Sequence, residues 1–314
     1  MATLLRSIQS ISENQKGAVV TIGNFDGVHL GHEALLKQTI ATAKELQQTA
    51  LAITFEPHPY EFFASKKLTV PRLTKMREKW HQLVTVGIEN VLILKFNQAL
   101  ATLSATQFVE DILYRALNIS HIVVGDDFHF GKDREGDINH LVELGQKYHF
   151  TVSIMPTFLV AGERVSSTLV KQALKQGNLS LARRLLGRDY AMMGRVSHGK
   201  KLGRDLGCPT ANISINRRLT PVHGIYTVKV AGIKDKPIPG VASIGSRPTI
   251  DGTKVLLEVH LLDFNEDIYG RHVEVAFCEK CRDEERFENL DLLKLQIMKD
   301  VEMARDYFKR NGGL

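Results

Sequence analysis

The 314-residue chain has only three cysteines and one tryptophan, and aromatic residues make up only 7% of it. Three cysteines cannot build a full disulfide framework, so a reducing compartment is the simpler reading. No stretch approaches the ~20 apolar residues of a membrane span. The opening Met1–Ile11 carries Arg6 and no sustained apolar core. No signal peptide is therefore expected, and the protein is expected to be soluble and cytoplasmic. Neither sign of charge dominates: 41 Lys and Arg against 35 Asp and Glu leave +6. That excess suits a small anionic substrate. It is spread along the chain without interleaved aromatics, which argues against a nucleic-acid-binding protein. Repeats and low-complexity segments are missing too. Hydrophobic residues at 43% and charged residues at 24% are globular values, which exclude disorder, collagen and coiled coil for the whole chain. The length suits two ordinary domains.

The first half alternates strand-like and helix-like segments. Ala18–Ile22 is a short apolar run ending at Gly23, as a buried strand does. Helical spacing follows over Glu33–Gln48. Further strands are expected at Ala50–Phe55, Asn90–Phe96, His121–Gly125 and Thr151–Met155. Further helices are expected at Lys75–Val86, Ala105–Leu117 with Thr106 as cap, and Ile138–Tyr148. This rhythm predicts an α/β domain with a doubly wound parallel sheet. Two short helices come next: one starting near Ser167 as cap and ending at Gly177, and one over Leu179–Leu186 closed by Gly187. From Met193 the segments are short, β-rich and broken by Gly and Pro, which predicts a small antiparallel barrel. Leu290, Leu293, Ile297, Val301, Ala304 and Phe308 then mark an amphipathic C-terminal helix. The expected domains are 1–187 and 188–314.

The first chemical constellation is Gly23-Asn-Phe-Asp-Gly-Val-His-Leu-Gly-His32, between the first strand and the first helix. Gly23, Gly27 and Gly31 permit tight backbone and close approach of a ligand. The helix behind them offers free N–H groups and the positive end of its dipole to an anion. His29 and His32, three apart, share a helix face and can donate to phosphate oxygens. The spacing alone leaves open a tight turn with two surface histidines. It is neither a Walker A loop nor a G-x-G-x-x-G fingerprint, so P-loop ATPases and NAD enzymes lose support. Phe55-Glu-Pro-His-Pro59, Gly125-Asp-Asp-Phe-His-Phe-Gly131 and, at the start of a helix, Arg164-Val-Ser-Ser-Thr168 follow other strands of the same half and should gather on one rim of the sheet.

The second constellation is Gly194-Arg-Val-Ser-His-Gly-Lys-Lys-Leu-Gly-Arg-Asp-Leu-Gly-Cys-Pro-Thr-Ala-Asn212. Gly199, Gly203 and Gly207 make a flap able to lie against phosphates, with Lys200, Lys201 and Arg204 adding positive charge. Taken alone, a glycine-rich hairpin with solvated lysines explains it equally. Thr210 and Asn212 offer hard oxygens of the kind that suit Mg²⁺ completed by phosphates and water. Glu258 and His260 share a strand face. A carboxylate such as Glu258 on the inner edge of a barrel can act as a general base. A surface Glu on an edge strand is the alternative.

Together these motifs resemble a known family, the prokaryotic-type bifunctional riboflavin kinases/FMN adenylyltransferases (FAD synthetases). Val19–Leu186 resembles the adenylyltransferase module, through Gly-x-Phe-Asp-Gly-Val-His-x-Gly-His and the Pro-His-Pro and Ser-Ser-Thr loops. Met193–Phe308 resembles the riboflavin kinase module, a Greek-key barrel with a C-terminal helix, through Gly-x-x-x-Gly-Arg-x-x-Gly-x-Pro-Thr-Ala-Asn. The resemblance implies that ATP phosphorylates riboflavin to FMN in the second module, and that FMN is adenylylated to FAD with release of pyrophosphate in the first. It implies ATP or phosphate contacts at Gly23, Phe25, Asp26, Gly27, Gly31, Arg164, Ser167, Thr168, Lys171, Gly199, Lys201 and Gly203, with His29 and His32 steadying the triphosphate. Flavin contacts are implied at Pro57, His58, Asp127, Phe128, Arg204 and Arg247. Thr210 and Asn212 would hold Mg²⁺ with ATP, and Glu258 would take the ribityl hydroxyl proton. The implied partners are riboflavin, FMN and ATP, with no nucleic acid or membrane and with flavoproteins as conceivable clients; the oligomeric state stays open.

The chain departs from this family at Lys171, where Arg is usual, and at Val165, Cys208 and Ser243. Lys keeps the charge and loses the bidentate fork. Cys278 and Cys281 form C-x-x-C without a second pair, which reads as strand packing ahead of a zinc or redox site. Trp80, His81, His121 and His140 read as ordinary packing or surface residues, and Arg183-Arg184 as solvating a helix.

Overall fold

The computed structural model describes residues 2–64, 70–198, 208–249 and 252–312, with only the backbone described for 247–249 and 252–254. The chain folds into two compact units that part between Ser166 and Ser167.

The first unit holds a six-stranded parallel sheet in the order β1-β4-β3-β2-β5-β6. Its strands are β1 (Thr3–Leu5), β2 (Val19–Ile22), β3 (Ala50–Glu56), β4 (Asn90–Lys95), β5 (His121–Gly125) and β6 (Thr151–Met155). All of β2 is buried, as a strand covered on both faces requires. Alternate residues feed two separate cores. Val20, Ile22, Leu51 and Ile53 pack with Phe108, Ile112, Leu141 and Leu144. Val19, Ala50, Ala52 and Val91 pack with Leu36 and Leu83, and Trp80 lies partly buried against them. Helices α1 (Leu30–Glu45) and α3 (Met76–Val86) thus cover one face. The segment starting with α5 (Ala105–Phe108) and helix α6 (Ile138–Tyr148) cover the other. Short α2 (Pro59–Phe63) and α4 (Gln98–Ala101) follow β3 and β4, and β7 (Leu159–Val160) and β8 (Glu163–Arg164) form a hairpin.

Several local expectations are corrected. Ser104, not Thr106, caps α5, with its hydroxyl accepting the Gln107 N–H at 3.1 Å. Ser104 has the extended backbone a cap needs, whereas Thr106 already lies in the first turn. Beyond α5, Val109–Ala116 is π-helical rather than α-helical. Helix α1 starts at Leu30 rather than Glu33, because His29 caps it. Arg164 sits on a strand, not at the start of a helix. His121 is buried, with its ring nitrogens 2.5 and 2.9 Å from the Thr151 and Ser153 hydroxyls, and burial lowers its pKa.

The second unit comprises Pro71–Thr74 and Ser167–Leu314. Helices α7 (Ser167–Lys175) and α8 (Leu179–Leu186) therefore pack with the barrel, upstream of the change in sequence texture near 187. Ser167 is the first residue of α7 rather than its cap. Arg217 and Tyr190 donate to the carbonyls of Arg72 and Leu73, which ties the short segment to this unit. The barrel strands are β9 (Tyr190–Ser197), β10 (Ala211–Ser214), β11 (Gly224–Ala231), β12 (Ile238–Thr249), β13 (Gly252–Leu261) and β14 (His272–Arg282). They close antiparallel in the order β10-β13-β12-β11-β14-β9. Strands β11, β12 and β13 are consecutive neighbours and β14 returns beside β11, which is a Greek key.

Helix α9 (Leu290–Arg310) is capped by Asn289 and lays Ala304 and Phe308 against Leu262. Asp300 is 2% exposed. It accepts from Arg282 Nε and a terminal nitrogen at 2.9 and 2.8 Å, and from Gln296 at 3.0 Å. A buried charge needs that full set of partners. Arg305 grips Asp263 through two bonds of 2.8 and 2.6 Å, and those bonds hold the Asp263 carboxyl below its usual range.

Candidate active sites

In the first unit the strand order reverses between β2 and β5, since β3 and β4 lie on one side of β2 and β5 and β6 on the other. Ligands of open parallel sheets bind at that switch point, beyond the carboxyl ends of the strands. The Gly23–His32 turn follows β2, and the Gly125–Gly131 loop follows β5.

The turn is held from below. Gly23 N–H extends the β2–β3 pairing by donating to Ile53 at 3.0 Å. Phe25 and Val28 both have positive φ and are fully buried, so they anchor a backbone path that Gly27, also at positive φ, completes. A Cβ on Gly23 would meet the Phe25 ring at 3.0 Å. Phe25, expected to contact phosphate, is fully buried with its ring packed close to Gly23. Asp26 is also buried, at 3% exposed.

His29 is the N-cap of α1. Its Nδ1 accepts the His32 N–H at 3.3 Å, so in the neutral ring Nε2 carries the proton. The His32 ring stacks on His29 at 3.6 Å and meets Phe25 edge-on at 5.3 Å. The two imidazoles therefore do share one face. Gly31 lets the His29 ring lie close, since a Cβ there would sit 3.3 Å from it.

Asp127 and Arg164, both expected site residues, pair with one another. Neighbouring Asp126 accepts from the Thr157 N–H at 2.7 Å and hydroxyl at 2.9 Å, and these bonds lower its pKa. Phe128 packs partly buried against the core and stacks on Phe130 at 5.5 Å. Pro57 is exposed after a cis bond, and His58 caps α2 by accepting the Tyr60 N–H at 3.1 Å. Phe55, Phe62, Phe63 and Phe96 form an edge-to-face group beside it.

Sequence reasoning missed Lys79. It is 2% exposed, and its ammonium donates to the Thr54 hydroxyl at 3.1 Å. That hydroxyl donates to the Asn24 carbonyl at 3.4 Å, inside the turn. The available signal was a lysine one turn before buried Leu83 on the apolar side of α3.

Ser167 and Thr168 open α7 in the second unit, with Lys171 half-buried one turn on. In the barrel, Asn212 on β10 lies opposite Ser197 on β9 and Glu258 on β13. Glu258 lies opposite Ser243 on β12. Directly opposed residues share a face, so Ser197, Asn212, Glu258 and Ser243 form one row across four strands. Their neighbours Ile213, Leu257, Val259, Ala242 and Ile244 are buried. The row therefore lies on the outer face, which corrects the expected inner-edge placement of Glu258; the closed interior is filled by the alternate apolar residues. Ser243 donates to Glu284 at 3.4 Å, and a Cβ on Gly245 would collide with that carboxylate. Gly199, Lys201, Gly203 and Arg204 lie outside the described residues, as does the Arg247 side chain.

Cys278 and Cys281 sit on β14 where its register with β11 shifts, so simple alternation does not set their faces; Cys278 lies beside Tyr307 of α9, and Cys281 is 3.5 Å from the Thr227 hydroxyl. Burial pushes Cys278 up to about 11 and raises Cys281 as well. Among the described residues no three His, Cys, Asp or Glu side chains gather as a metal site. No described helix is long and apolar enough to cross a membrane.

Comparison with known proteins gives two family matches: FAD synthetase over residues 11–169 and riboflavin kinase over residues 186–308. The bifunctional riboflavin kinase/FMN adenylyltransferase of Escherichia coli K12 is 46% identical over 306 residues, covering 97% of both chains. The chain belongs to this bifunctional family. The Haemophilus influenzae member is 41% identical over 305 residues, covering 97% of this chain and 99% of its own. A solved structure titled a macrolide-efflux protein, from Streptococcus pneumoniae, matches with a TM-score of 0.82 and 30% identity over 97% of this chain and 98% of its own. Family membership makes the chain a transferase with two activities, with the FAD synthetase region N-terminal and the riboflavin kinase region C-terminal.

Proposed function

We propose that Glu258 serves the kinase step and that His29 and His32 serve the adenylyl step. The assignment rests above all on the cross-strand pairing of Asn212 with Glu258, which sets an amide oxygen beside a carboxylate on an accessible face. In the kinase step the ribityl 5′-hydroxyl attacks the γ-phosphorus, Glu258 accepts its proton and ADP leaves. In the adenylyl step an FMN phosphate oxygen attacks the α-phosphorus and pyrophosphate leaves. Neither step needs an enzyme nucleophile; positioning and charge neutralisation serve both.

Thr210 is exposed and Asn212 half-exposed, two residues apart and next to Glu258. Two neutral oxygens beside a carboxylate fit a hard cation that keeps phosphate and water ligands. Mg²⁺ bound there would draw charge from the phosphates of ATP. In the first unit, His29 Nε2–H at the N-terminus of α1 would hold phosphate oxygens. Arg164 would exchange Asp127 for a phosphate, and Pro57, His58, Asp127 and Phe128 would face the flavin. Ser167, Thr168 and Lys171 are proposed phosphate contacts on α7. The proposed functional boundary stays at 187/188, and the three free cysteines support a reducing, cytoplasmic setting.

The test is a chromatographic time course with riboflavin, ATP and Mg²⁺. FMN is expected first and FAD after it. FMN accumulating without FAD would overturn the adenylyl assignment, and no conversion at all would overturn both.

Lys171→Arg is expected to lower the KM for ATP in FAD formation, because a guanidinium binds phosphate through two parallel bonds. A KM that stays the same or rises would remove Lys171 from the ATP contacts.

A further inference from the structure

We propose that His260 is a positioning residue for the kinase step, one that holds the Thr210–Asn212 segment against β13. The inference rests on the reading that Thr210 and Asn212 serve the metal and ATP. The paired register of β10 and β13 ends at Ala211 opposite Val259. Upstream of that point Thr210 has left the ladder, and Pro209 has no N–H to give it. Continued by one residue, the register sets Thr210 opposite His260. The His260 ring closes the gap, with its Nδ1 2.9 Å from the Pro209 carbonyl. A carbonyl only accepts, so Nδ1 carries the proton and donates.

Thr210 is thereby bracketed between two anchors: the Ala211–Val259 pairing on one side and the His260–Pro209 bond on the other. Without the second anchor, the first of the two proposed ligands sits on the frayed end of a four-residue strand. His260 shares the outer face with Glu258, two residues earlier on β13. One strand thus carries both the proposed base and the residue that holds the proposed ligands beside it. The Arg305–Asp263 pair ties the chain just after β13 to α9, which gives His260 a braced platform. Its role is indirect, because its ring is spent on a backbone carbonyl rather than on substrate.

The test compares His260→Ala with His260→Asn in the full-length chain, since the asparagine amide can replace the Nδ1–H donor. His260→Ala is expected to raise the Mg²⁺ concentration for half-maximal FMN formation about fivefold, the scale of one hydrogen bond. The rate at saturating Mg²⁺ should stay within about twofold, and amide exchange at Thr210–Asn212 should quicken. His260→Asn should restore both. FAD formation from supplied FMN should not change in either variant. An unchanged Mg²⁺ dependence in His260→Ala, or an asparagine variant as impaired as the alanine one, overturns the inference. Thr210→Ala is the control for the underlying reading. If it leaves the Mg²⁺ dependence untouched, that reading fails and the metal part of the inference fails with it. Exchange that stays slow in His260→Ala then overturns the anchoring itself.

Discussion

His29→Ala is expected to lower FAD formation from FMN and ATP by at least ~100-fold, the usual scale for losing one fixed donor at a site of developing charge. FMN formation from riboflavin should stay within about twofold. The alanine variant removes a helix cap and the proposed phosphate donor together. His29 Nδ1 caps α1 by accepting the His32 N–H, and its Nε2–H is the proposed phosphate donor. Loss of a cap costs roughly 1 kcal/mol by itself. His29→Asn separates the two functions, because asparagine is a good cap but lacks the distal N–H. The asparagine variant should melt with the parent and still fail to make FAD. Activity retained in His29→Asn would mean that His29 acts only as a cap. Loss of both activities in a well-folded variant would argue against two independent sites.

Glu258→Gln is expected to do the reverse. FMN formation should fall by roughly 10²–10⁴, the span typical of a lost general base. FAD formation from supplied FMN should be unchanged. Glutamine keeps the shape and one oxygen beside Asn212 but cannot accept the hydroxyl proton. The position tolerates the change structurally: Glu258 lies on the outer face, so the apolar barrel interior formed by Leu257 and Val259 is not disturbed. Kinase activity surviving in Glu258→Gln would assign the proton to water or to the phosphate itself, and the row of Asn212, Glu258 and Ser243 would then serve binding alone.

Much of the fold was legible where the signal is local. His121–Gly125, Thr151–Met155, Ile138–Tyr148 and Leu179–Leu186 run over the residues their apolar patterns mark. Short elements were not legible. Strand β1 has three residues and exists through its pairing with β4, and β10 has four residues with Ile213 as its one large apolar side chain. Neither carries enough alternation to be read, because the partner strand supplies what the sequence lacks. Arg164 shows the same limit: a two-residue strand gives no period.

The site residues divide in the same way. His29 and His32 were readable because their three-residue spacing and the glycines around them are local chemistry. Lys79 was not, because its role depends on Thr54 and Asn24, which are brought to it by the sheet. The pairing of Asp127 with Arg164 links the loop after β5 to β8 within the first unit.

From the sequence alone follow the βα alternation, the change to short strands near residue 190, the amphipathic C-terminal helix and the two phosphate-type motifs. All of these depend on residues close together along the chain. Tertiary structure decided the strand order, and with it the switch point between β2 and β5. It decided that Glu258 faces outward in one row with Asn212, that the Phe25 side chain is buried, and that the His260 ring meets the Pro209 carbonyl. Those outcomes depend on register and burial between segments far apart in sequence. A one-residue slip would turn Glu258 to the other face of its strand, and no local pattern around Glu258 specifies which partner strand prevents that slip.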